Sequence, residues 1–352
     1  MNKLMMAFMV SAAIAFFSTP IVKWWAEKSG AVDVPKDSRR VHKKPTPLLG
    51  GLSIYFACLV GILVFIPLNQ KIIGILAGAT IIVLGGYFDD IKNLSPRTKF
   101  LIQIFAAVIT IYSGIKIDRI TNPLFSFMGG QWIELKIFAY PITVLWIVGL
   151  TNAFNLIDGL DGLAAGVSAI SSVTLLIAAI SLGPEQVYIP ILTAIVAGST
   201  LGFLPHNFNP AKIFMGDTGA MFLGYMLAVI SVIGVLKSAA ALAFLVPILA
   251  MGLPILDTLF SMIRRIANGK SVAEADKGHF HHRLIDKGYS QKQAVLTLYS
   301  ISAILGVGAV AVIESKLKTA YLFVFVVFIL ASMGLKPSDL QEARDDKKNF
   351  DI

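Results

Sequence analysis

The sequence predicts an all-α polytopic membrane protein, and three of its properties indicate this: its composition, its apolar runs and its charge distribution. Of the 352 residues, 56% are hydrophobic and 14% are charged, whereas soluble domains average about 45–50% apolar residues. Apolar runs close to the roughly 20 residues that cross a bilayer recur along the whole length. They leave no room for a soluble domain of ordinary size, so we expect one integral-membrane domain over residues 1–334 and a charged cytoplasmic tail over residues 335–352.

Eleven membrane spans are predicted, or ten if one of the segments is re-entrant. We expect the first span to be a retained helix rather than a signal peptide, because no small-residue cleavage pattern follows it. Cys58, the only cysteine, lies in the second span, which excludes an internal disulfide. The predicted spans cover residues 4–22, 50–67, 71–87, 99–115, 136–151, 163–182, 187–204, 218–236, 238–262, 293–313 and 319–334.

The basic residues are concentrated in alternate loops. Of the 30 lysine and arginine residues, 22 lie in one set of segments, at residues 23–49, 88–99, 152–162, 205–217, 263–292 and 335–352. By the positive-inside rule these segments are cytoplasmic, which places the N-terminus outside and the C-terminus in the cytoplasm. Topology alone explains such a bias, but anionic lipid headgroups or phosphate substrates would bind to the same charge. No nucleic-acid partner is expected.

The polar clusters that packing does not explain all lie in this same set of loops. Because the loops end at one membrane surface, we expect them to form a single site. The clusters are "DVPKDSRRVHKKPTPLLGG", "GGYFDDIKNLSP", "NAFNLIDGLDG", "NPAKIFMGDTGAMFLG" and "RRIANGKSVAEADKGHFHHRL".

Three aspartates in these loops are candidate metal ligands. Asp89 and Asp90 directly follow the apolar run "IIVLGGYF", where an unpaired charge is costly, and adjacent acids need a cation or a shared proton. Asp217 opens the eighth span, and an aspartate at a helix start is also an ordinary N-cap. If the loops converge, the three carboxylates supply the hard oxygen ligands that Mg²⁺ prefers. Simple capping of helix ends is the alternative for each of them.

The stretch "NAFNLIDGLDGLAAG" is predicted to be a turn between two helices. It carries amide and carboxylate side chains at three-residue spacing, at Asn152, Asn155, Asp158 and Asp161. On one continuous helix the first and last of these would face opposite sides, and Gly159 and Gly162 make such a helix unfavourable. We therefore expect one helix to end near Asn155 and the next to begin at Asp161 or Gly162. Such a turn brings backbone N–H groups and carboxylates close to a ligand, whereas helix capping alone explains only one or two of the four side chains.

A histidine cluster and a lone acid complete the candidate residues. "HFHH" supplies His279, His281 and His282, whose spacing does not suit a zinc site. Flanking basic residues favour a phosphate-binding surface, and a solvated basic loop is the alternative. Asp257 lies inside the ninth span, where an acid is a functional candidate by default, although a hydrogen bond to a neighbouring helix would also account for it.

Five motifs together resemble the polyprenyl-phosphate N-acetylhexosamine-1-phosphate transferases. They are "KKPTPLLGG", "FDDIKN", "NAFNLIDGLDGLAAG", "FMGDTGA" and "DKGHFHHRL", in the family's order and covering about residues 33–290. The stretch "ADKGHFHHRLIDKGYS" is similar to the branch that transfers N-acetylglucosamine 1-phosphate, which initiates teichoic-acid linkage units and O-antigens. The sister branch transfers phospho-MurNAc-pentapeptide in peptidoglycan synthesis. Asn93 stands where some members have aspartate, so no metal role is predicted for it.

The resemblance implies transfer of N-acetylglucosamine 1-phosphate from UDP-GlcNAc to undecaprenyl phosphate at the cytoplasmic leaflet, with release of UMP. It implies Mg²⁺, or Mn²⁺ in its place, with Asp217 as the principal ligand and the catalytic residues Asp89 and Asp90 near the metal and the lipid phosphate. Phe214 would stack on the uracil. The remaining nucleotide-sugar residues would be Asn152, Asn155, Asp158, Gly159, Leu160 and Asp161. Contacts to phosphate or sugar would come from Lys44, Arg265, His279, His281 and His282.

Two alternatives to this activity stay open at the level of sequence. A transporter is the alternative from another class, but it would place its polar site near the bilayer midplane, often in repeated halves. The MurNAc-pentapeptide branch is the alternative within the family. For either sugar, direct attack by the lipid phosphate is favoured over a covalent aspartyl intermediate, because a phosphate monoester with a second pKa of about 6 is largely dianionic at neutral pH. Homodimer formation is left open.

Overall fold

A computed structural model of the chain describes residues 2–34, 45–121, 132–181, 188–234, 245–267, 269 and 278–314. Over these residues the chain is a bundle of α-helices with two small antiparallel hairpins. The helices are α1 (Lys3–Ser29), α2 (Gly51–Phe65), α3 (Gln70–Lys92), α4 (Pro96–Tyr112), α5 (Ala139–Leu156), α6 (Leu163–Ser181), α7 (Ile189–Asn207), α8 (Gly216–Gly234), α9 (Leu245–Ala250), α10 (Gly252–Ala267), α11 (Phe280–Asp286) and α12 (Gln291–Glu314). The hairpins pair β1 (Val32–Asp33) with β2 (Thr46–Pro47), and β3 (Arg119–Thr121) with β4 (Trp132–Glu134).

The all-α polytopic fold predicted from the sequence is confirmed. In the described part of the chain, seven helical segments are long and apolar enough to cross a membrane, namely Lys3–Ser29, Gln70–Lys92, Lys136–Leu156, Leu163–Ser181, Ile189–Asn207, Gly216–Gly234 and Gln291–Ile313. The shorter helices α2, α4 and α10 also fall within or across predicted spans. The eleventh span, 319–334, and the tail lie outside the described residues, so the total of eleven and the orientation stay predictions.

Helix α8 lies at the centre of the bundle. All of residues 218–234 are buried, and helices α2, α3 and α5 pack against it. A Cβ atom on Gly51 of α2 or on Gly86 of α3 would overlap the backbone of the first turn of α8. Small residues allow this close approach, which is a main source of helix association inside a bilayer. The packing therefore places Asp217, in that first turn, where several helices meet.

A tight connection joins α3 to α4. Asn93 ends α3 in the left-handed conformation, with φ +51°, and Ser95 caps α4 by accepting a 3.2 Å hydrogen bond from the N–H of Thr98. Because only three residues separate the two helices, the first turn of α4 lies beside the last turn of α3. This brings Lys99 next to Asp89.

The predicted turn in "NAFNLIDGLDGLAAG" is confirmed. Helix α5 ends at Leu156 and α6 begins at Leu163. Gly162 adopts the left-handed conformation, with φ +79°, which glycine reaches without steric cost. Its carbonyl accepts a hydrogen bond from the hydroxyl of Tyr299 on α12. The turn is thus fixed in place by a helix distant in sequence.

Candidate active site

The described parts of the five polar loops meet at one end of the bundle, as the alternating topology predicts. The N–H of Phe214, in the fourth loop, donates to the carbonyl of Pro47 in the first. The second and third loops both reach Asp217 through the side chains of Lys99 and Asn155. The fifth loop reaches the third through His281, which lies against Gly159. One composite site results from segments far apart in sequence.

At its centre lies a group that we call the acidic cluster: Asp89, Asp90, Asp217, Lys99 and Asn155. The Nζ atom of Lys99 is 2.6 Å from Oδ2 of Asp217 and also forms an ion pair with Oδ2 of Asp89. Asn155 donates a 2.9 Å hydrogen bond to Oδ1 of Asp217. Two carboxylates this close repel each other unless a positive charge lies between them. The ammonium group supplies that charge, and the amide fixes the orientation of Asp217.

Asp90 does not point at the other two carboxylates but at the start of α8. Its Oδ1 accepts a 2.8 Å hydrogen bond from the N–H of Asp217, and its Oδ2 accepts bonds of 3.1 and 2.6 Å from the N–H and Oγ1 of Thr218. These N–H groups have no partner within the helix, and the helix dipole favours a negative charge there. Asp90 therefore caps α8 from α3 and holds the backbone that carries Asp217.

Lys99 is a residue that reasoning from the sequence missed. The sequence counted it only among the positive charges of a cytoplasmic loop. A signal for it was present, because the "NLSP" stretch is typical of a tight turn followed by a capped helix start. Such a turn places a residue in the first turn of the second helix beside the end of the first helix.

The acidic cluster fits a divalent cation, although the fit rests on two carboxylates rather than three. Among the described residues, no three histidine, cysteine or acidic side chains are arranged to hold a metal ion. Mg²⁺, however, is commonly bound by one or two carboxylates together with water and phosphate oxygens. Asp89 and Asp217 are the pair that fits, since their oxygens already converge on the positive charge of Lys99. The magnesium assignment itself stays a prediction.

The two asparagines of the turn motif have different partners. Asn152 donates to Oε1 of Gln103 on α4, at 2.5 Å, and to the carbonyl of Val148, at 2.8 Å. The Gln103 amide donates back to Oδ1 of Asn152 at 3.3 Å. This amide pair links α4 to α5 beneath the site. Asn155, one helical turn further on, is the asparagine that reaches the acidic cluster.

Asp158 lies in the negative field of the cluster. Burial, followed by the charges of Asp217, Asp90 and Asp161, raises the pKa of Asp158 well above its usual value. Each cause opposes ionisation of this carboxyl group. A cation bound nearby would lower this pKa again, because it would offset the negative charges of the three neighbouring aspartates.

Asp161 has a structural set of partners. Its Oδ2 accepts 3.0 Å hydrogen bonds from the side chain of Asn209 and from the N–H of Ala211. Asn209 also donates to Oε1 of Gln291, at 2.8 Å, at the start of α12. Asp161 therefore ties the turn to the loop between α7 and α8. A nucleotide contact for Asp161 stays a prediction.

The histidine cluster, defined as Asp257, His279, His281 and His282, lies against the same turn. The rings of His279 and His281 are nearly parallel, with centroids 5.8 Å apart and an interplanar angle of 7°. A Cβ atom on Gly159 would overlap Nε2 of His281, so the glycine permits this contact. Burial and then the neighbouring His282 lower the pKa of His281 to about 3. His281 is therefore neutral at physiological pH.

The remaining predicted residues are placed as follows. Leu160 is buried in the hydrophobic core. Phe214 is partly buried, and its backbone is hydrogen-bonded to Pro47. Arg265 lies in the last turn of α10. Lys44 lies outside the described residues.

Comparison with known proteins places this architecture among transferases. Residues 72–235 match the model of a family described as Glycosyl transferase family 4. The chain is 44% identical, over 94% of its length and 90% of the relative's, to a "Probable undecaprenyl-phosphate N-acetylglucosaminyl 1-phosphate transferase" of Bacillus subtilis. It is 34% identical, over 89% of its length and 83% of the relative's, to a "Decaprenyl-phosphate N-acetylglucosaminephosphotransferase" of Mycolicibacterium smegmatis. A "Phospho-N-acetylmuramoyl-pentapeptide-transferase" of Chlamydia muridarum is 34% identical over 79% of the chain and 88% of the relative.

Proposed function

Because the chain belongs to glycosyl transferase family 4, we propose that it transfers N-acetylglucosamine 1-phosphate from UDP-GlcNAc to undecaprenyl phosphate. The family assignment agrees with the resemblance in the five motifs and makes the chain a membrane-embedded sugar-phosphate transferase. The observation that carries the proposal is the convergence of Asp89 and Asp217 on Lys99 at the loop end of the bundle. Identity to the N-acetylglucosamine relative, at 44%, exceeds the 34% to the MurNAc-pentapeptide relative and favours the first sugar.

The acidic cluster is suited to bringing two phosphate-bearing substrates together. Their mutual repulsion must be offset, and fixed positive charge at the reacting phosphates provides most of the catalysis in such reactions. Asp89 and Asp217 would hold Mg²⁺, which when bound neutralises phosphate charge. Lys99 supplies a second positive charge in the same place. Asn155 keeps Asp217 oriented through its 2.9 Å hydrogen bond.

The reaction is a direct displacement at the β-phosphorus of UDP-GlcNAc. An oxygen of the lipid phosphate forms a bond to that phosphorus, the bond to the bridging oxygen breaks, and UMP leaves with its electron pair. The lipid phosphate is largely dianionic at neutral pH because its second pKa is about 6, so no enzyme base has to remove a proton. Asp90 fits this scheme as a positioning residue, since both of its oxygens accept hydrogen bonds from α8.

The nucleotide is assigned to the side of the cluster formed by the turn and by Phe214. Phe214 lies three residues before Asp217, is partly buried, and has its backbone fixed to Pro47. These features support stacking of its ring on the uracil. Asp158 and Gly159 of the turn would face the ribose and diphosphate, and the histidines and Arg265 would contact phosphate or sugar.

The proposed location is the cytoplasmic leaflet of a bacterial plasma membrane. The loops that build the site belong to the set of segments that holds 22 of the 30 basic residues, which supports a cytoplasmic site under the positive-inside rule. UDP-sugars are cytoplasmic substrates in this scheme. The product would initiate a cell-envelope polysaccharide of the teichoic-acid or O-antigen kind.

The test is an assay of the purified full-length chain with undecaprenyl phosphate and three donors: UDP-GlcNAc, UDP-GalNAc and UDP-MurNAc-pentapeptide. We expect Mg²⁺-dependent release of UMP with UDP-GlcNAc, strongly reduced in Asp89→Asn. The matched control is Asp118→Asn, because Asp118 pairs with Lys116 at 3.1 Å beyond the far end of α4. UMP release with UDP-MurNAc-pentapeptide alone would move the chain to the sister activity, and none with any donor would refute the transferase proposal.

A further inference from the structure

Asp257 on α10 is a buried carboxylate with two specific partners. Its side chain is only 4% exposed. Its Oδ2 lies 2.8 Å from Nδ1 of His279, and its Oδ1 accepts a 2.8 Å hydrogen bond from the N–H of Phe280. Both oxygens therefore contact neighbouring residues of one loop. His279, in that loop, lies 22 residues after Asp257 in the sequence.

These two contacts explain how an acid can be buried in this helix. A buried carboxylate is costly unless hydrogen bonds compensate it. Phe280 is the first residue of α11, so its N–H is one that the helix itself leaves without a partner. The side chain of His279, which precedes α11, makes no capping bond. Asp257 supplies the missing acceptor from another helix and binds the imidazole at the same time.

The contact to His279 also requires that Nδ1 carries hydrogen. A carboxylate accepts but cannot donate, so Nδ1 must be the N–H that faces it. The other nitrogen, Nε2, is then the one that can meet a ligand. Within the described part of the chain, the Asp257 contact is the one hydrogen bond of the His279 side chain.

A chain of contacts leads from Asp257 to the proposed transferase site. The ring of His279 stacks on that of His281 with centroids 5.8 Å apart, and His281 lies directly against Gly159. Gly159 belongs to the turn that carries Asp158 beside the acidic cluster. Displacement of His279 would therefore be transmitted through the second ring to the turn.

We propose that Asp257 is a positioning residue of the transferase: it acts through His279, fixing hydrogen on Nδ1 and directing Nε2 towards the polar groups of the nucleotide sugar. The proposal rests on the proposed function for its substrate, but the tautomer and ring position are properties of the chain alone. In this role Asp257 acts on the substrate through His279 and is not itself a catalytic residue.

The central variant is Asp257→Asn, which keeps the shape of the side chain. A carboxamide cannot accept both hydrogen bonds. Because the Phe280 N–H cannot reverse its polarity and an imidazole can, the amide oxygen stays with Phe280 and the NH₂ group turns to His279. Hydrogen then moves from Nδ1 to Nε2. We expect kcat to fall by about 10- to 100-fold, as for other residues that orient a site histidine, with the KM for undecaprenyl phosphate unchanged.

The experiment compares Asp257→Asn, His279→Gln and the double variant, with Thr258→Val as the matched control. Thr258 is the next residue of α10, and in the described structure its hydroxyl has no hydrogen-bond partner. If Asp257 acts through His279, the double variant is no slower than His279→Gln alone, whereas independent roles would multiply the losses. Thr258→Val should match the parent. Multiplied losses, or full activity in Asp257→Asn, would overturn the proposal.

A second readout is independent of turnover. Solid-state ¹⁵N NMR of histidine-labelled protein should show an Nδ1–H tautomer that disappears in His279→Gln and changes to Nε2–H in Asp257→Asn. An unchanged tautomer in Asp257→Asn, or activity loss that only follows a lowered unfolding temperature, contradicts the positioning role. If the tautomer changes as expected but the parent chain releases no UMP from any donor, the proposed function fails while the positioning role stands.

Discussion

The acidic cluster and the histidine cluster each contain a carboxylate that caps a helix, but the other contacts in the two clusters differ. In each, an acid from one helix accepts the first N–H groups of another: Asp90 of α3 caps α8, and Asp257 of α10 caps α11. Around Asp90, however, two further carboxylates converge on Lys99, whereas the second partner of Asp257 is the imidazole of His279. In both clusters the capping acid therefore holds a helix start, and the carboxylate oxygens directed at a cation belong to other residues, Asp89 and Asp217.

The largest effect is expected where charge chemistry is assigned. Asp217→Asn should lower kcat for UMP release by about 10³-fold, the scale of losing a main electrostatic contact in an active site. The unfolding temperature should change little, because Lys99 keeps its ion pair with Asp89. Steady-state kinetics and thermal unfolding in detergent measure the two effects. Near-normal turnover in this variant would show that Asp217 is not needed for the reaction.

Asp90→Asn should behave differently from its neighbour. A carboxamide cannot accept all three hydrogen bonds that Asp90 receives from α8. We expect a loss of about 1–2 kcal/mol of stability, the usual scale for a lost helix cap, together with a smaller fall in kcat than in Asp217→Asn. Thermal unfolding beside kinetics separates the two contributions. An unfolding temperature equal to that of the parent would contradict the assignment of Asp90 as an acid that stabilises the start of α8.

Gly159→Ala tests the contact between the turn and the histidine cluster. The added Cβ would overlap Nε2 of His281, so the histidines must shift away from the turn. The KM for UDP-GlcNAc should rise about tenfold, equivalent to about 1.4 kcal/mol, and the KM for undecaprenyl phosphate should not. Gly149→Ala is the matched control, because a Cβ there meets nothing within 4 Å. Equal changes in the two KM values would contradict a role of the histidine cluster in binding the nucleotide sugar.

The smallest effect concerns pH. The pKa of His281 is about 3 in the folded chain, against about 6.5 for an exposed histidine. The unfolded chain therefore takes up this proton first, and the stability contribution is present above about pH 6.5 and lost as the pH falls below it. Between pH 7.5 and 5.5 the parent should lose on the order of 1 kcal/mol more stability than His281→Gln. Parallel losses in the two proteins would place His281 in contact with water.

The sequence predicted the fold and the location of the site better than the partners of individual side chains. Apolar runs determined the helix positions, and glycine and polar spacing correctly indicated the turn after Asn155. The pairing of Asn152 with Gln103 and the role of Lys99 were not predicted, because periodicity shows which face a residue occupies but not which helix lies opposite. Asp90 was grouped with Asp89 as a neighbour in sequence, although adjacent residues on a helix point about 100° apart.

We propose that Asp89 and Asp217 hold a divalent cation in the transferase site. Electron paramagnetic resonance of Mn²⁺, added to the full-length protein with UDP-GlcNAc, tests it most directly. We expect one bound Mn²⁺ per chain, retained in Asp118→Asn and lost in both Asp89→Asn and Asp217→Asn. Unchanged Mn²⁺ binding in Asp217→Asn would contradict it.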